Sequence, residues 1–411
     1  MSDVGVALSI ESIAAGGDGV GRTDGMVVFV PRTAPGDLAR VRITKVKRFG
    51  RGQLLSLDVP SAARVDPPCA HYAVEQCGGC QIQHLSYAAQ LAAKSAIIGD
   101  SLRRIGRRDV LDPPVSPSDS PWRYRQKLTL HIRRTTTGWI AGLHPFHDPV
   151  AVFDLRDCPI TDERVLAVWA ELRGAFDFLP REDVLRMSVR LVDDGAAATL
   201  EGGVAWPMSD RFFDAVPSLR ELWWRAEGRG AHRVAARTTA GQAGASFTQV
   251  NAGVAAQVRS HLLARVRHYE PQRVVDAYAG TGATTLPLAA DGRTVVAIEW
   301  DRAAVAQLRG QLRPPSSAVA GSVDDHLAAQ LPADVVILNP PRTGVDQRVT
   351  AALESAASPP RALFYVSCDP ATLARDLARL PSFRLVDVRG YDMFPQTAHV
   401  ETVCELIPVA A

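Results

Sequence analysis

The 411-residue sequence has no apolar run near the ~20 residues that a membrane-spanning helix needs. Its opening residues, MSDVGVALSIESIAAGG, contain no basic stretch leading into an apolar one, so we expect no signal peptide. Together these two absences indicate a cytoplasmic protein. A hydrophobic content of 46% with 22% charged residues is typical of a globular protein, and 411 residues exceed one ordinary core, which predicts two or three domains.

The sequence also lacks internal repeats, low-complexity tracts and a strong net charge, which is only +2. The basic residues are unevenly distributed, because residues 101–140 contain nine Arg or Lys and three Asp, with aromatics interleaved in WRYRQKLTLHIRR. Alternating basic and ring side chains suit contacts with phosphates and stacked bases, although an ordinary solvated strand face has the same composition. We predict nucleic-acid contacts by Arg123, Arg125 and Lys127.

Residues 1–60 consist of short β-rich runs separated by glycine turns, such as GMVVFVP and DLARVRITKVK. Strands and turns at this spacing predict a small closed barrel of the OB type. The segment GGDGVGRTDGMVVFVPRTAPGD resembles a TRAM domain, a small RNA-binding barrel, although another small β-barrel would fit the same pattern. The resemblance implies an RNA-binding domain at residues 1–60.

Two further domains are predicted, at residues 61–237 and 238–411. The first begins with a linker, a cysteine segment and a helix at 86–108 that could pack on the last domain. Strands dominate its remainder, with helical pieces near Glu163–Phe176 and Arg211–Leu219. In the last domain strands alternate with helices, which is typical of a parallel doubly wound sheet. The prediction is a multidomain α/β protein with an OB-like barrel, a mostly β central domain and a Rossmann-like C-terminal domain.

A cofactor site is predicted in the stretch RVVDAYAGTGATTLPLA. An apolar strand ends in Asp276, a turn contains Gly280 and Gly282, and a helix follows. Glycines let a backbone pass close to a ligand at the carboxyl end of a strand, and Glu299 ends the next strand, where it can bind ribose hydroxyls. A dinucleotide site would give a similar pattern, although Thr285 interrupts its usual third glycine.

The motif ILNPPRTG follows at residues 337–344. Asn339 and two prolines after an apolar strand are typical of enzymes that methylate exocyclic amines of bases. Together with DAYAGTG, the order of motifs is that of class I methyltransferases, whose methyl donor is S-adenosylmethionine. Amine methylation is therefore one hypothesis at this point.

Two residues favour a different chemistry. The strand ALFYVS ends at Cys368, before a helix that Asp369 can cap, and a thiolate is favoured at a helix N-terminus. Glu401 lies in the β-rich run HVETV, and in an apolar crevice its neutral form would be favoured, ready for proton transfer. Ordinary alternatives are a buried small side chain for Cys368 and a solvated one for Glu401. We predict that Cys368 is the nucleophile and that Glu401 is the general base.

The motifs SFTQVN, DAYAGTG, NPPRTG, YVSCDPATLARD and DMFPQTAHVETV resemble those of the RNA uridine-C5 methyltransferase family over nearly the whole chain. The resemblance implies that Cys368 adds to C6 of a flipped-out uracil, that C5 takes the methyl group of S-adenosylmethionine, and that Glu401 removes the C5 proton. Asn339 stands where the family usually has Asp. The cofactor-binding residues implied by the motifs are Gln249, Tyr278, Gly280, Gly282, Glu299, Ser322 and Asn339.

Four cysteines remain grouped apart from the catalytic one: Cys69, Cys77, Cys80 and Cys158. Three clustered thiols and a distant fourth can ligate a 4Fe–4S cluster or a structural zinc, and spacing barely separates the two. The element CGGCQIQH resembles the cluster-bearing members of the same family, which implies 4Fe–4S. Cys404 is predicted to be an ordinary buried side chain.

The expected partner is RNA, with ribosomal RNA favoured over transfer RNA because the barrel and the cluster together resemble ribosomal enzymes. We expect a monomer. A transfer-RNA enzyme, an amine methyltransferase and a non-catalytic RNA-binding protein are the alternatives. Retention of Cys368, Glu401, Gln249 and Glu299 together counts against the last of these.

Overall fold

The computed structural model describes residues 5–192, 194–237 and 249–409. The predicted domain boundary at residue 238 and the first three residues of the motif SFTQVN lie outside them. Five strands at the N-terminus close into a barrel in the order β1-β2-β3-β5-β4, which confirms the predicted OB-like barrel. Apolar side chains alternate along its strands and fill its interior, among them Leu8, Val28 and Val41. The strands are β1 (Val6–Ile13), β2 (Gly19–Thr23), β3 (Met26–Val30), β4 (Leu38–Val46) and β5 (Phe49–Val59).

The next segment contains a one-turn helix α1 (Ala70–Ala73), a long helix α2 (Tyr87–Arg104) and a two-residue strand β6 (Val115–Ser116). Helix α2 packs on the C-terminal sheet rather than on the central one, since Ile98 and Leu102 are buried in the same core as that sheet's strands. The following loop binds there too, because the Arg108 guanidinium donates to three backbone carbonyls, of residues 377, 380 and 383, at 2.7–2.8 Å.

A six-stranded sheet forms the centre of the chain, in the order β12-β11-β10-β9-β7-β8. Helices α3 (Glu163–Gly174) and α4 (Ser209–Asp214) follow the two predicted helical pieces, but α4 ends five residues early because Pro217 and a new strand follow. Trp169 of α3 and Phe212 of α4 are buried in one core with this sheet. The strands are β7 (Lys127–Thr135), β8 (Gly138–Gly142), β9 (Val184–Val192), β10 (Gly195–Glu201), β11 (Leu219–Arg225) and β12 (His232–Ala236).

The C-terminal part is an eight-stranded sheet in the order β15-β14-β13-β16-β17-β19-β18-β6, and it confirms the predicted α/β fold. Its central strands are buried along their whole length, as expected for a parallel sheet covered on both faces. The strands are β13 (Arg273–Ala277), β14 (Thr294–Glu299), β15 (Ser317–Ala320), β16 (Val335–Leu338), β17 (Ala362–Ser367), β18 (Phe383–Tyr391) and β19 (Glu401–Pro408). The helices are α5 (Ala252–His268), α6 (Thr285–Ala290), α7 (Arg302–Gln311), α8 (Val323–His326), α9 (Gln347–Glu354) and α10 (Pro370–Leu377).

One edge of this sheet collects the predicted site residues. The five parallel strands β13 to β17 all end there, and β19, which runs the opposite way, begins there with Glu401. Side chains that follow strands ending at one edge lie close together in space although they are distant in sequence. In the part of the chain that the structure describes, no helix is long and apolar enough to span a membrane.

Candidate active site

Cys368 and Glu401 face each other across two neighbouring strands. In the antiparallel pair β17–β19 the partner of Ser367 is Thr402, so the next position along the register places Cys368 opposite Glu401. Asp369 caps helix α10 by accepting the backbone N–H of Thr372 at 2.8 Å, as predicted. Cys368 is half-buried, whereas Glu401 is only 4% exposed. Both functional groups therefore lie at one point of the sheet edge.

The environment of Cys368 differs from the expectation of a favoured thiolate. Burial raises the pKa of the Cys368 thiol, and the charge of Glu401 raises it further. The Arg342 guanidinium opposes this shift through its charge and a hydrogen bond to Cys368. The sequence suggested the helix N-terminus as the dominant influence, but an eight-residue helix does not outweigh burial and a facing carboxylate. Burial and the facing carboxylate therefore disfavour the thiolate form of Cys368.

Glu401 is poised to exchange a proton near neutral pH. Burial raises the pKa of its carboxyl to about 7, and Arg342 limits the increase. The strand of Tyr391 covers its other side, since β18 pairs Tyr391 with Glu401. A carboxyl whose pKa lies near the working pH is suited to accept a proton and release it again.

Arg342 is a site residue that the sequence interpretation did not single out. It belongs to the NPPRTG motif after β16, and its charge acts on Cys368, Glu401 and His399. The sequence did contain a signal for Arg342, because this residue lies three positions beyond Asn339, just after a buried strand. Among the described residues, Arg342 is the cation whose charge acts on both the predicted nucleophile and the predicted base.

Helix α2 holds the loop that leads to Glu401. The fully buried ammonium group of Lys94 forms an ion pair with the equally buried Asp392, and it also donates to the carbonyl of Phe394 at 3.0 Å. The Gln90 amide donates to Gln396 Oε1 at 2.9 Å and accepts the Gln396 backbone N–H at 3.0 Å. Gln90 and Lys94, four residues apart, lie on one helical face. Two polar residues at that spacing within the otherwise apolar stretch AAQLAAK were the signal for this contact.

The predicted cofactor turn follows β13 in an unusual backbone conformation. Tyr278, Gly280 and Gly282 have φ values of 64°, 56° and 91°, in the left-handed region. A Cβ at residue 282 would lie 2.2 Å from a methyl carbon of Leu308, which excludes other residues there. A Cβ at residue 280 would meet no atom within 4 Å, so this glycine borders open space. Glu299 accepts the N–H of Gly280 at 2.8 Å, which ties the two strand ends together.

The other predicted cofactor residues lie at or near the same sheet edge. Asn339, exposed after β16, donates its backbone N–H to the carbonyl of Ala277 at 3.3 Å. Ser322 follows β15, and its hydroxyl donates to Asp325 at 2.6 Å. Gln249 lies just before α5, where the carbonyl of the next residue accepts a backbone N–H from the start of β7 at 2.9 Å. The central and C-terminal sheets therefore meet beside Gln249.

The four grouped cysteines line one cavity of about 150 Å³ and are all buried. Cys77 anchors the segment, because its Sγ accepts the N–H of Gly79 at 3.3 Å and its backbone N–H donates to the carbonyl of His71 at 3.0 Å. Within residues 5–192, 194–237 and 249–409, no group of His, Cys, Asp or Glu side chains converges closely enough to hold a single metal ion. Cys404 lies fully buried elsewhere, as predicted.

The three residues predicted to contact nucleic acid have different environments. Arg123 is engaged within the protein, donating to Asp157 at 2.9 Å and to the carbonyl of Cys158 at 3.0 Å. Arg125 lines the cysteine cavity, and its charge acts on His399 at the sheet edge. Lys127 is half-buried at the start of β7, and burial, followed by the charges of neighbouring arginines, lowers its pKa.

We expect Glu401→Gln to stabilise the protein at pH 8 but not at pH 5. Because the folded-state pKa of Glu401 is about 7 and its ordinary value is 4.5, the stability contributed by the protonated carboxyl is complete below pH 4.5 and lost as the pH rises through 7. Glutamine keeps the neutral form, which predicts a gain of roughly 3 kcal/mol at pH 8. Urea unfolding of the wild type and of Glu401→Gln at pH 5 and pH 8 measures this difference in the free energy of unfolding.

Glu405→Gln is the matched control for this change. Glu405 is also buried in β19, but the hydrogen bonds of Arg265 and Tyr269 outweigh burial and lower its pKa. Its stabilisation is present above pH 4.5, so this variant is expected to lose stability at pH 8. A loss of stability in Glu401→Gln at pH 8 would contradict the burial of an unpaired carboxyl.

Comparison with known proteins agrees with this geometry. A family model described as "TRAM domain" matches residues 6–55, and one described as "tRNA (Uracil-5-)-methyltransferase" matches residues 326–407. An RNA methyltransferase of Thermosynechococcus vestitus is 35% identical over 453 residues, covering 98% of this chain and 97% of the relative. The 23S rRNA (uracil(1939)-C(5))-methyltransferase RlmD of Dechloromonas aromatica is 31% identical over 437 residues, covering 96% of this chain and 98% of RlmD.

A solved structure has the same fold. The Pyrococcus abyssi tRNA (uracil-54, C5)-methyltransferase, in complex with S-adenosyl-L-homocysteine, superposes with a TM-score of 0.72 at 23% identity and covers 98% of this chain and 99% of its own. The whole-length relatives and the matching family model confirm the predicted resemblance. The chain belongs to the RNA uracil-C5 methyltransferase family.

Proposed function

We propose that this protein methylates C5 of a uridine in ribosomal RNA through a transient covalent bond from Cys368. The observation that carries the proposal is the pairing of Cys368 and Glu401 at the sheet edge that also bears the cofactor turn. Nucleophile, base and methyl donor must act on two adjacent carbons of one ring, so they must meet at one point.

The residues of the site support a sequence of bond changes that balances. The Cys368 thiol gives its proton to solvent, aided by the Arg342 hydrogen bond to Cys368, and the thiolate forms a bond to C6 of uracil as the electron pair of the C5–C6 double bond shifts toward C5. This addition makes C5 nucleophilic. C5 then forms a bond to the methyl group of the S-adenosylmethionine substrate, the bond between that methyl group and sulfur breaks, and S-adenosylhomocysteine leaves with the electron pair. Glu401 takes the C5 proton as the sulfur–C6 bond breaks, which restores the C5–C6 double bond and the thiolate.

The donor site that we propose uses the residues predicted from the motifs. Both carboxylate oxygens of Glu299 accept one backbone N–H each, from Gly280 and Asp301 at 2.8 Å, and keep lone pairs for ribose hydroxyls. Open space over Gly280 leaves room for the ligand beside them. We assign binding of S-adenosylmethionine to Gln249, Tyr278, Gly280, Gly282, Glu299, Ser322 and Asn339.

Ribosomal RNA is favoured as the substrate because RlmD, named for 23S rRNA, matches nearly the whole chain at 31% identity. The structural neighbour named for transfer RNA shares 23% identity, so it supports the fold alone. The barrel, Arg123, Arg125 and Lys127 are the proposed RNA contacts, and Arg123 also forms an ion pair with Asp157 beside the cysteine loop. We also propose that the protein is a monomer and that it is located in the cytoplasm.

We further propose that Cys69, Cys77, Cys80 and Cys158 hold a 4Fe–4S cluster. The four thiols line one buried cavity, which leaves room for a bound group, and the element CGGCQIQH resembles the cluster-bearing members of the family. A four-iron cluster binds each cysteine at a separate iron. When bound, such a group supplies either structural support or electron transfer. The cysteine segment and the donor turn belong to different predicted domains, which favours a structural role for the cluster.

The covalent step predicts that Cys368→Ala lowers methylation by about 10³-fold or more, since C5 then stays unreactive. Tritium release from RNA labelled at uracil C5 measures turnover. Cys404→Ala, the same change at a buried cysteine outside the site, is the control and should retain release. An active Cys368→Ala that methylates a base amine would refute the mechanism and favour amine methylation.

The choice of substrate predicts which RNA loses 5-methyluridine in cells that lack this protein. Mass mapping of nucleotides from separated ribosomal and transfer RNA is expected to find one uridine unmethylated in ribosomal RNA. Restoration by the wild-type chain, but not by Cys368→Ala, controls for indirect effects. Loss confined to transfer RNA would favour the alternative substrate.

If the cysteines hold a 4Fe–4S cluster, iron and sulfide analysis of the anaerobically purified wild type is expected to find about four irons and four sulfides per chain. Cys77→Ala is expected to lose most of the iron, because one ligand is missing and the buried site loses its anchor. Cys368→Ala is the control and should keep it. Stoichiometric zinc without iron in the wild type would contradict this assignment.

A further inference from the structure

The N-terminal barrel touches the cysteine segment through two adjacent residues. The Arg32 guanidinium donates to the carbonyl of Cys77 at 2.8 Å, and the carbonyl of Thr33 accepts a hydrogen bond from His84 Nε2 at 3.0 Å. The other ring nitrogen of His84 lies 2.6 Å from the hydroxyl of Tyr72, which belongs to helix α1. The carbonyl of Cys77, from the cysteine loop, and the carbonyl of Thr33, from the barrel, therefore each accept a hydrogen bond that holds the barrel against this loop.

The Arg32 side chain is half-buried and has no carboxylate partner among the described residues. Its guanidinium lies 3.2 Å from the centre of the Tyr72 ring and 5.3 Å from that of Phe146. Its Nη1 atom is buried and has no hydrogen-bond partner among the described residues. None of the Asp and Glu residues in the described ranges forms an ion pair with it. Because a guanidinium stays charged in proteins and an unpaired buried charge is costly, an anion is expected beside it.

Burial lowers the pKa of Arg32, and Cys77, Cys80 and Cys69 lie near enough to raise it when they carry a negative charge. Arg32 and Cys80 also line one groove of about 530 Å³ between the barrel and the cysteine segment. Cysteines that ligate a metal do so as thiolates, and four thiolates leave an iron–sulfur cluster with a net negative charge. The anion that Arg32 lacks is thus the occupied cysteine site itself.

We propose that Arg32 is the charge partner of the occupied cysteine site, so that retention of the cluster and docking of the barrel stabilise each other. The proposal rests on the proposed cluster. A positive charge beside an anionic cluster disfavours its loss and favours its reduced form. By thermodynamic reciprocity, the bound cluster favours the docked barrel to the same degree.

The coupling has a path toward the active site. The backbone N–H groups of Gln81 and Ile82, next to Cys80, both donate to the carbonyl of Gln396 at 3.2 Å. Gln396 lies in the loop that leads to Glu401. The cysteine segment is therefore placed between the RNA-binding barrel and the catalytic loop, and Arg32 is the barrel's charged contact with it.

The test compares Arg32→Met with Arg51→Met in anaerobically purified full-length protein. Arg51 lines the same groove but pairs with Asp18 at 2.6 Å, so it serves as the matched control. Iron release to a chelator, followed by absorbance, is expected to be about tenfold faster in Arg32→Met and unchanged in Arg51→Met. The midpoint potential of the cluster is expected to become more negative only in Arg32→Met. Arg32→Lys, which keeps the charge, should restore most of both properties.

A second measurement uses the wild type and does not depend on the folding of a variant. Hydrogen exchange of residues 26–46 is expected to accelerate when the cluster is removed. The role of Arg32 would be overturned if Arg32→Met released iron at the wild-type rate and kept the wild-type midpoint potential. It would also be overturned if removal of the cluster left hydrogen exchange of residues 26–46 unchanged. Neither result would contradict the cluster itself. Absence of any metal from the wild type would instead overturn the cluster and this inference together, and activity of Cys368 would be unaffected.

Discussion

The antiparallel register between β17 and β19 is the constraint on which the site depends. A sheet of parallel strands gathers strand ends at one edge, but it supplies only residues that follow strands. By reversing direction, β19 brings the start of a strand to that edge, and a residue inside the hydrogen-bonded ladder faces the end of β17. Glu401 is consequently held by its backbone pairing with Tyr391 of β18 and by the pairing of its neighbour Thr402 with β17. Cys368 is held by the capped start of α10. A slip of one residue would turn one of the two side chains away.

This register is stabilised by polar groups that the fold buries in pairs. Helix α2 precedes the central sheet in the sequence but packs on the C-terminal one, where Lys94 and Gln90 satisfy Asp392 and Gln396 in the loop before Glu401. Breaking such a buried pair leaves a charge without solvent or partner, so the loop has one favourable arrangement. Residues far apart along the chain thereby determine the position of one carboxylate.

Cations have three distinct roles in this molecule, which their neighbours decide. Arg342 faces a thiol and a carboxyl and tempers the effect of burial on both. Arg123 is paired with Asp157 and supports the cysteine loop. Arg32 has aromatic rings and cysteines around it but no carboxylate among the described residues. The surroundings of an arginine side chain thus differ from place to place in this molecule, with a thiol and a carboxyl beside Arg342, a carboxylate beside Arg123 and aromatic rings beside Arg32.

The sequence by itself determined the features that depend on near neighbours: the alternating strands of the barrel, the strand–turn–helix around Gly280 and Gly282, and the cap at Asp369. Hydrophobic period, turn chemistry and capping act within a few residues, so one local segment contains the whole signal. Only the tertiary structure decided that α2 joins the C-terminal sheet, that Arg342 lies beside Cys368, and that the pKa of that thiol rises rather than falls. These outcomes depend on burial and on charges brought together by strand order, which the local sequence does not contain.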